Sequence, residues 1–273
     1  MLKADVLHQF GTGLVSQGKL QEGVQILKRC LELVDQYPAN SGLRNNNDQF
    51  GLRSAYEQTP LWETKAYTLN QLGLAAMYQG QFDLAKRRFD SCQEIFIAHH
   101  EEDNLACVAY QSMGQLLLYR GQAVQAIPLL SRGLNIRRRR RDQEGVAINA
   151  LYLAAAYLAS HQTENVEDLL NNALSIFRAL GNHRSTGICY IYFGQYEFVC
   201  GNVESAFTQW QQALTSFATT PPPLIELRAL IRYMPWMILH GRWQLVRQSV
   251  RQLILSKQQQ ELSIGMVIRL LLH

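Results

Sequence analysis

The chain has 273 residues, of which 47% are hydrophobic and 18% are charged, and its formal net charge is +4. This composition supports a packed core and excludes an intrinsically disordered polypeptide. A weak positive charge without clustering on one face does not indicate a nucleic-acid-binding surface. The first residues lack the apolar run of a signal peptide, and the most apolar stretch, residues 147–159, is shorter than the about 20 residues that cross a bilayer. We therefore expect a soluble, cytoplasmic protein without membrane contact.

The cysteines do not form a disulfide pattern. They are odd in number and show no CxxC spacing: Cys30, Cys92, Cys107, Cys189 and Cys200. We interpret them as small core residues of a protein in a reducing compartment.

One spacing pattern, which we call the repeat frame, recurs along the chain. In one copy it consists of Leu72-Gly73, Gly80, Ala85 and Cys92, with offsets of 7, 5 and 7 residues. The same frame begins again at Met113-Gly114, Leu153-Ala154 and Phe193-Gly194, which gives a period of about 40 residues. A period of this length with helical spacing predicts stacked helix hairpins, that is, an all-α solenoid.

The frame divides the chain into about six repeats and a final helix. We predict repeat one at 1–36, an inserted loop at 37–60, repeats two to five at 61–219, a degenerate repeat six at 220–256 and a C-terminal helix at 259–273. The loop is predicted because it contains Pro, Gly and three consecutive Asn residues. Repeat six is expected to be distorted, because Pro235 lies inside its first helix.

Within each repeat, we expect a small residue of the first helix to accommodate a large residue of the second helix. The glycines at the turn, Gly80, Gly121 and Gly201, should adopt the left-handed backbone conformation. His161 replaces this glycine in repeat four, so its turn should be strained. Pro128 should either bend the second helix of repeat three or mark its late start.

The repeat frame resembles the consensus of the tetratricopeptide repeat family. In that consensus, a large residue and a Gly are followed by a Gly at the turn and then by an Ala. An aromatic or other large residue follows four positions after the Ala, and a small residue follows three positions later. The ending Ala173-Leu-Ser-Ile-Phe-Arg-Ala-Leu-Gly-Asn182 is similar to the subclass with repeats of about 40 residues. The resemblance implies a right-handed superhelix in which the first helices, the A helices, line a concave groove. It implies an interaction scaffold and leaves the bound molecule open.

The groove positions implied by the family are Tyr67, Asn70, Leu74, Tyr78, Gln111, Gln115, Tyr119, Leu151, Ile191 and Gln195. Apolar, amide and aromatic side chains in this arrangement suit an extended or helical peptide. Tyr78 and Tyr119 occupy equivalent places, so they are candidate peptide anchors, with packing between repeats as the alternative. The carboxylate clamp that some members use is not expected, because its Lys and Asn positions hold Leu151, Ala155 and Tyr192.

A run of arginines is the strongest charge feature: Arg132, Arg137, Arg138, Arg139, Arg140 and Arg141. The run could bind phosphate or an acidic partner, or it could be a solvated helix end, where cations are favoured. The second interpretation is preferred because the run lacks interleaved aromatic residues. His99 and His100 precede three acidic residues, but no His lies at i+4, so we expect a polar helix end and no metal.

The sequence contains no recognisable catalytic arrangement or cofactor motif, so we predict a non-enzymatic scaffold that binds a protein or peptide. The alternative is a regulatory sensor or assembly adaptor that acts through residues 259–273. That predicted helix is apolar on nearly every side, which indicates self-association, another partner or a longer solenoid. Nucleic-acid binding through the arginine run is the least favoured alternative.

Overall fold

The computed structural model describes residues 2–36, 59–101, 104–218 and 221–260, and the regular structure in these ranges is helical. The first helices of repeats one to five, the A helices, are α1 (Leu2–Ser16), α3 (Leu61–Tyr78), α5 (Cys107–Tyr119), α7 (Gln143–Ala159) and α9 (His183–Val199). The second helices, the B helices, are α2 (Leu20–Asp35), α4 (Phe82–Ala98), α6 (Ala123–Arg139), α8 (Val166–Ala179) and α10 (Val203–Ser216). The predictions on residues 37–58 and 261–273 lie outside the described residues.

Repeat six has a broken A helix. Its place is taken by a short 3-10 helix (Leu224–Leu227), α11 (Arg228–Arg232) and α12 (Met234–Leu239), followed by the B helix α13 (Trp243–Gln259). Pro235 lies in the first turn of α12, where a proline lacks no helical hydrogen bond. The chain therefore begins a new helix, α12, beside this proline, and α11 ends before it.

The turns between A and B helices have the predicted geometry. Gly80, Gly121 and Gly201 have φ values of 74°, 76° and 87°, which confirms the left-handed conformation. His161 has φ 60° at the equivalent place, so it adopts a conformation that costs a residue with a Cβ atom about 1–2 kcal/mol. Asp142 and Asn182 start α7 and α9, because their side chains accept hydrogen bonds from backbone N–H groups three residues on, at 2.9 and 3.0 Å.

Pro128 lies inside α6, which begins at Ala123, so the late-start alternative is wrong. A proline removes the hydrogen bond to the carbonyl four residues earlier, that of Val124. Both Pro128 and Val124 are exposed, so that carbonyl can be hydrated by solvent. The helix continues for this reason.

Each hairpin is closed by a contact that we call the small–large pair. A Cβ atom on Gly73 would lie 2.4 Å from the Phe89 ring, and one on Gly194 would lie 2.2 Å from Trp210 Nε1. Gly11 and Gly114 make the same kind of contact with Leu27 and Leu130, at the same separation along the chain. Ala154 and Leu170 occupy the equivalent positions in repeat four, and both are buried. The large side chains of these pairs are fully buried. The predicted packing of large against small residues is confirmed where a glycine supplies the space.

The A helices form the inner side of the solenoid. Each A helix contacts the A helix of the next repeat, from α1 to α9, in addition to its own B helix. Contacts of this extent do not occur between successive B helices from α2 to α10 within the described residues. Because the A helices are closer together, they line the concave surface, which we call the inner wall.

We predict opposite effects for the same substitution at two helical glycines. Gly194→Ala should lower the free energy of unfolding by about 1–3 kcal/mol, because the new methyl group overlaps Trp210. Gly13→Ala should raise it by about 0.5–1 kcal/mol, because no atom lies within 4 Å of its added Cβ atom and Ala favours the helix. Urea unfolding measures both, and a Gly194→Ala protein as stable as wild type would contradict the packing role of the small–large pair.

Candidate binding groove

The predicted groove residues lie on the A helices α3, α5, α7 and α9 and differ in exposure. Those that keep part of their surface accessible are Tyr67, Leu74, Tyr78 and Gln111. Those that are buried are Asn70, Gln115, Tyr119, Leu151, Ile191 and Gln195. Gln111 accepts a hydrogen bond from Arg137 Nη2 at 3.0 Å, and the Ile191 carbonyl accepts one from Trp210 at 3.2 Å. The role of these residues in binding stays a prediction.

Part of the inner wall is covered by the chain itself. Residues 221–228, which we call the groove segment, form the beginning of the broken A helix of repeat six. Leu224, Ile225 and Leu227 are at most 1% exposed and belong to the same apolar core as the A helices α5, α7 and α9. Consecutive prolines at 221–223 prevent a regular helix here, so the segment enters the groove in an extended and then 3-10 conformation.

Glu226 is the polar centre of this contact, and only 2% of its surface is exposed. The hydroxyl groups of Tyr119 and Tyr152 both donate hydrogen bonds to its Oε1 atom, the second at 2.7 Å. The two tyrosines come from α5 and α7, so the carboxyl group joins two repeats to the groove segment.

Two further tyrosines lie close enough to Glu226 to sense its charge. Burial, followed by the charge of Glu226, raises the pKa of Tyr78 to about 12 and raises the pKa of Tyr192 further. Burial also raises the pKa of Tyr119 and Tyr152 well above the ordinary value. These four residues, which we call the tyrosine cluster, therefore keep their hydroxyl protons and act as hydrogen-bond donors.

Two arginines hold the groove segment at its ends. Arg184 Nη2 on α9 donates to the Pro221 carbonyl at 3.4 Å, and Arg228 Nη1 donates to the Tyr119 carbonyl at 2.9 Å. The Arg228 bond also occupies a carbonyl at the end of α5, where helical partners are missing. Both guanidinium groups contribute positive charge near Glu226.

The sequence interpretation identifies half of the tyrosine cluster. Tyr78 and Tyr119 are found because they occupy equivalent positions of the frame in repeats two and three. Tyr152 and Tyr192 share a frame position in repeats four and five, so the same criterion would also find them. Glu226 has no counterpart in the frame, and no local signal marks it.

The predicted basic residues are partly engaged with their own chain. Arg137 forms an ion pair with Asp142, and Arg140 donates to the Asn104 carbonyl at 3.2 Å. The Arg132 guanidinium lies 4.7 Å from the centre of the Tyr110 ring. Arg138, Arg139 and Arg141 are exposed, and Arg141 has φ 57° in the turn that follows α6. These contacts are those of a structured helix end; binding of an acidic partner stays a prediction.

The histidines also lie in a helix end. His99 stacks on Trp62 with ring centres 4.1 Å apart, and His100 adopts φ 57°. Over the ranges that the structure describes, no three His, Cys, Asp or Glu side chains are grouped as metal ligands. In the same ranges, no helix has the length and apolar character needed to cross a membrane.

The environment of Glu226 predicts a pH-dependent stability. Burial raises its pKa, and the hydrogen bonds from Tyr119 and Tyr152 and the charges of the two arginines reduce that rise. A raised pKa in the folded chain gives a contribution to stability that is present below the ordinary glutamate pKa and lost as the pH rises through the raised value. The free energy of unfolding of wild type, relative to Glu226→Gln, should therefore fall as the pH increases from about 4 to about 8.

Urea unfolding at several pH values measures this difference, and Glu164→Gln, at an exposed position, is the control. A difference between wild type and Glu226→Gln that is constant over this range would contradict the prediction.

Comparison with known proteins agrees with this architecture. Residues 64–139 match the tetratricopeptide repeat family model. No curated protein sequence matches the chain. A Rap protein, solved in complex with competence and sporulation factor, has a TM-score of 0.63 at 12% identity over 97% of this chain and 78% of its own.

Two further solved structures share the fold. BtubC (BKLC) from P. vanneervenii has a TM-score of 0.56 at 16% identity, covering 88% of this chain and 91% of its own. A putative kinesin light chain from Podosopora anserina, with nearly identical TPR-like repeats, has a TM-score of 0.51 at 16% identity. The match covers 78% of this chain and 94% of that one. Residues 64–139 thus match the tetratricopeptide repeat family, and the chain shares the solenoid fold of these structures.

Proposed function

We propose that the chain is a non-enzymatic scaffold that binds a protein or peptide along its inner wall. The observation that carries the proposal is a pair of buried amides on the neighbouring helices α3 and α5. Asn70 and Gln115 are 2% and 3% exposed, and their side-chain oxygens have no hydrogen-bond partner among the described residues. An unsatisfied buried acceptor costs about 1–3 kcal/mol. The backbone N–H groups of a bound segment would offset this cost once the two amide side chains turn toward the groove.

The neighbouring surface supports the same proposal. Tyr67, Leu74 and Gln111 keep accessible surface on the same two helices and supply apolar and polar contacts. The Rap protein that shares the fold was solved as a complex, which supports a binding function for this architecture. We also propose a cytoplasmic location, supported by five free cysteines, four of them buried.

A double substitution on the inner wall tests this proposal. Leu74→Ser with Gln111→Ser should reduce the recovery of specifically captured proteins by about ten-fold or more, since it removes apolar and amide contacts at the centre of the site. Affinity capture with quantitative mass spectrometry measures the loss. The control is Ile97→Ser, because Ile97 is 49% exposed on the B helix α4. Equal recovery by both folded variants would exclude the inner wall as the binding surface.

Assembly through the C-terminal end is a second candidate function. Four large apolar side chains on α12 and α13 are exposed to solvent: Trp236 46%, Ile238 41%, Leu239 75% and Trp243 57%. Exposed apolar surface of this kind is typical of an interaction site.

For this candidate, we expect that Leu239→Ser with Trp243→Ser weakens self-association. Light scattering over a range of protein concentrations measures the mass of wild type, of the double variant and of Ile97→Ser. A wild-type mass equal to one chain at every concentration would contradict assembly between copies.

A further inference from the structure

We infer that the tyrosine cluster is a carboxylate-binding subsite of the groove, that the groove segment fills it as an internal ligand, and that a partner with one acidic side chain between apolar residues displaces this segment. The inference rests on the proposed function and specifies the partner chemistry and the regulation of the groove. It is carried by the hydrogen bonds that buried Glu226 accepts from Tyr119 and Tyr152, on the two A helices α5 and α7.

The cluster has the geometry of a binding subsite. Tyr78, Tyr119, Tyr152 and Tyr192 come from α3, α5, α7 and α9, so the cluster draws its residues from four consecutive repeats. Two of the hydroxyl groups donate directly to one carboxylate oxygen of Glu226. Hydrogen bonds from neutral donors, with guanidinium charge nearby, recognise a carboxylate at a defined point along the groove.

The groove segment is attached differently from every regular A helix. Repeats one to five are closed by a small–large pair, but in repeat six the equivalent residues are Pro235 and Arg251, both exposed. The B helix α13 contacts α12 and the 3-10 helix of its own repeat and also contacts α10. The groove segment is held mainly by side-chain contacts and apolar burial. Its ties to its own B helix are a contact with α13 and a hydrogen bond from the Leu224 N–H to Gln260 Oε1 at 3.4 Å.

The internal contact is incompletely satisfied. Glu226 Oε2 and Arg184 Nε are buried without a hydrogen-bond partner among the described residues. A buried charged group whose hydrogen bonds are not all formed loses free energy relative to one that is fully paired. A partner that satisfies these atoms therefore has an advantage over the internal segment.

The internal segment also defines the chemistry of the partner. Leu224, Ile225 and Leu227 surround Glu226 and are buried with it. The groove therefore accepts an acidic side chain with apolar residues on both sides. The apolar residues supply most of the buried area, and the acid sets the position of the chain.

Peptide binding in trans tests this inference. The probe is a fluorescent peptide with the sequence of residues 221–232, and its matched control carries Ala in place of Glu226. The proteins are wild type, Glu226→Ala and the exposed-site control Glu164→Ala. We expect Glu226→Ala to bind the acidic peptide about ten times more tightly than wild type does, because its own segment lacks the acid and competes more weakly.

The same variant should prefer the acidic peptide over the Ala peptide by about ten-fold or more, as expected for hydrogen bonds to a charged group. Tyr152→Phe, added to Glu226→Ala, should reduce that preference. Equal binding of both peptides, or no binding, by a Glu226→Ala protein with a normal thermal melt would overturn the inference and make the segment a permanent part of the core.

A second measurement uses the wild-type protein and does not depend on the folding of a variant. Excess acidic peptide should accelerate amide hydrogen exchange in residues 224–228, the part of the segment with backbone N–H groups, and the Ala peptide should not. Unchanged exchange at saturating peptide would also overturn the inference. The two hypotheses can fail separately. If the inner-wall variant loses protein capture but Glu226→Ala binds both peptides equally, the carboxylate subsite is rejected and the scaffold function is retained.

Discussion

The structure depends on the close approach of the two helices in each hairpin, which the small–large pair makes possible. Gly73, Gly114 and Gly194 leave space that Phe89, Leu130 and Trp210 fill, each at the same separation along the chain. Because the pair returns with the period of the frame, successive hairpins have the same shape and stack in the same orientation. The A helices are thereby brought into contact with one another, and the inner wall is a consequence of packing within each repeat.

The same constraint explains why repeat six behaves differently. With Pro235 and Arg251 at the pair positions, the small–large pair is absent there, and the proline breaks the first helix. The residues before it contact α13 without forming such a pair. They turn onto the inner wall, where burial of Leu224, Ile225 and Leu227 stabilises their position.

Whether the sequence predicts a contact in this structure depends on how far apart the two residues are along the chain. The small–large pair, the glycine turns and the break at Pro235 are set within one repeat, so the frame predicts them. The bond between Tyr119 and Glu226 joins residues 107 positions apart, and it depends on the path of a segment that has no frame. The repeat period predicts that Tyr152 and Tyr192 occupy equivalent positions. It does not predict the carboxyl group of Glu226, which gives them a role.

The chemistry of the tyrosine cluster also differs from that of a site made of lysine side chains. A tyrosine hydroxyl whose pKa is raised by burial stays neutral, so the cluster donates hydrogen bonds without adding charge to the core. The positive charge is supplied by Arg184 and Arg228, which are less deeply buried at the two ends of the groove segment. Such a site attracts acids weakly over long distances and selects them mainly on contact. Its specificity then comes from the spacing between the acid and its apolar neighbours along the bound chain. Glu226 has this spacing relative to Leu224, Ile225 and Leu227.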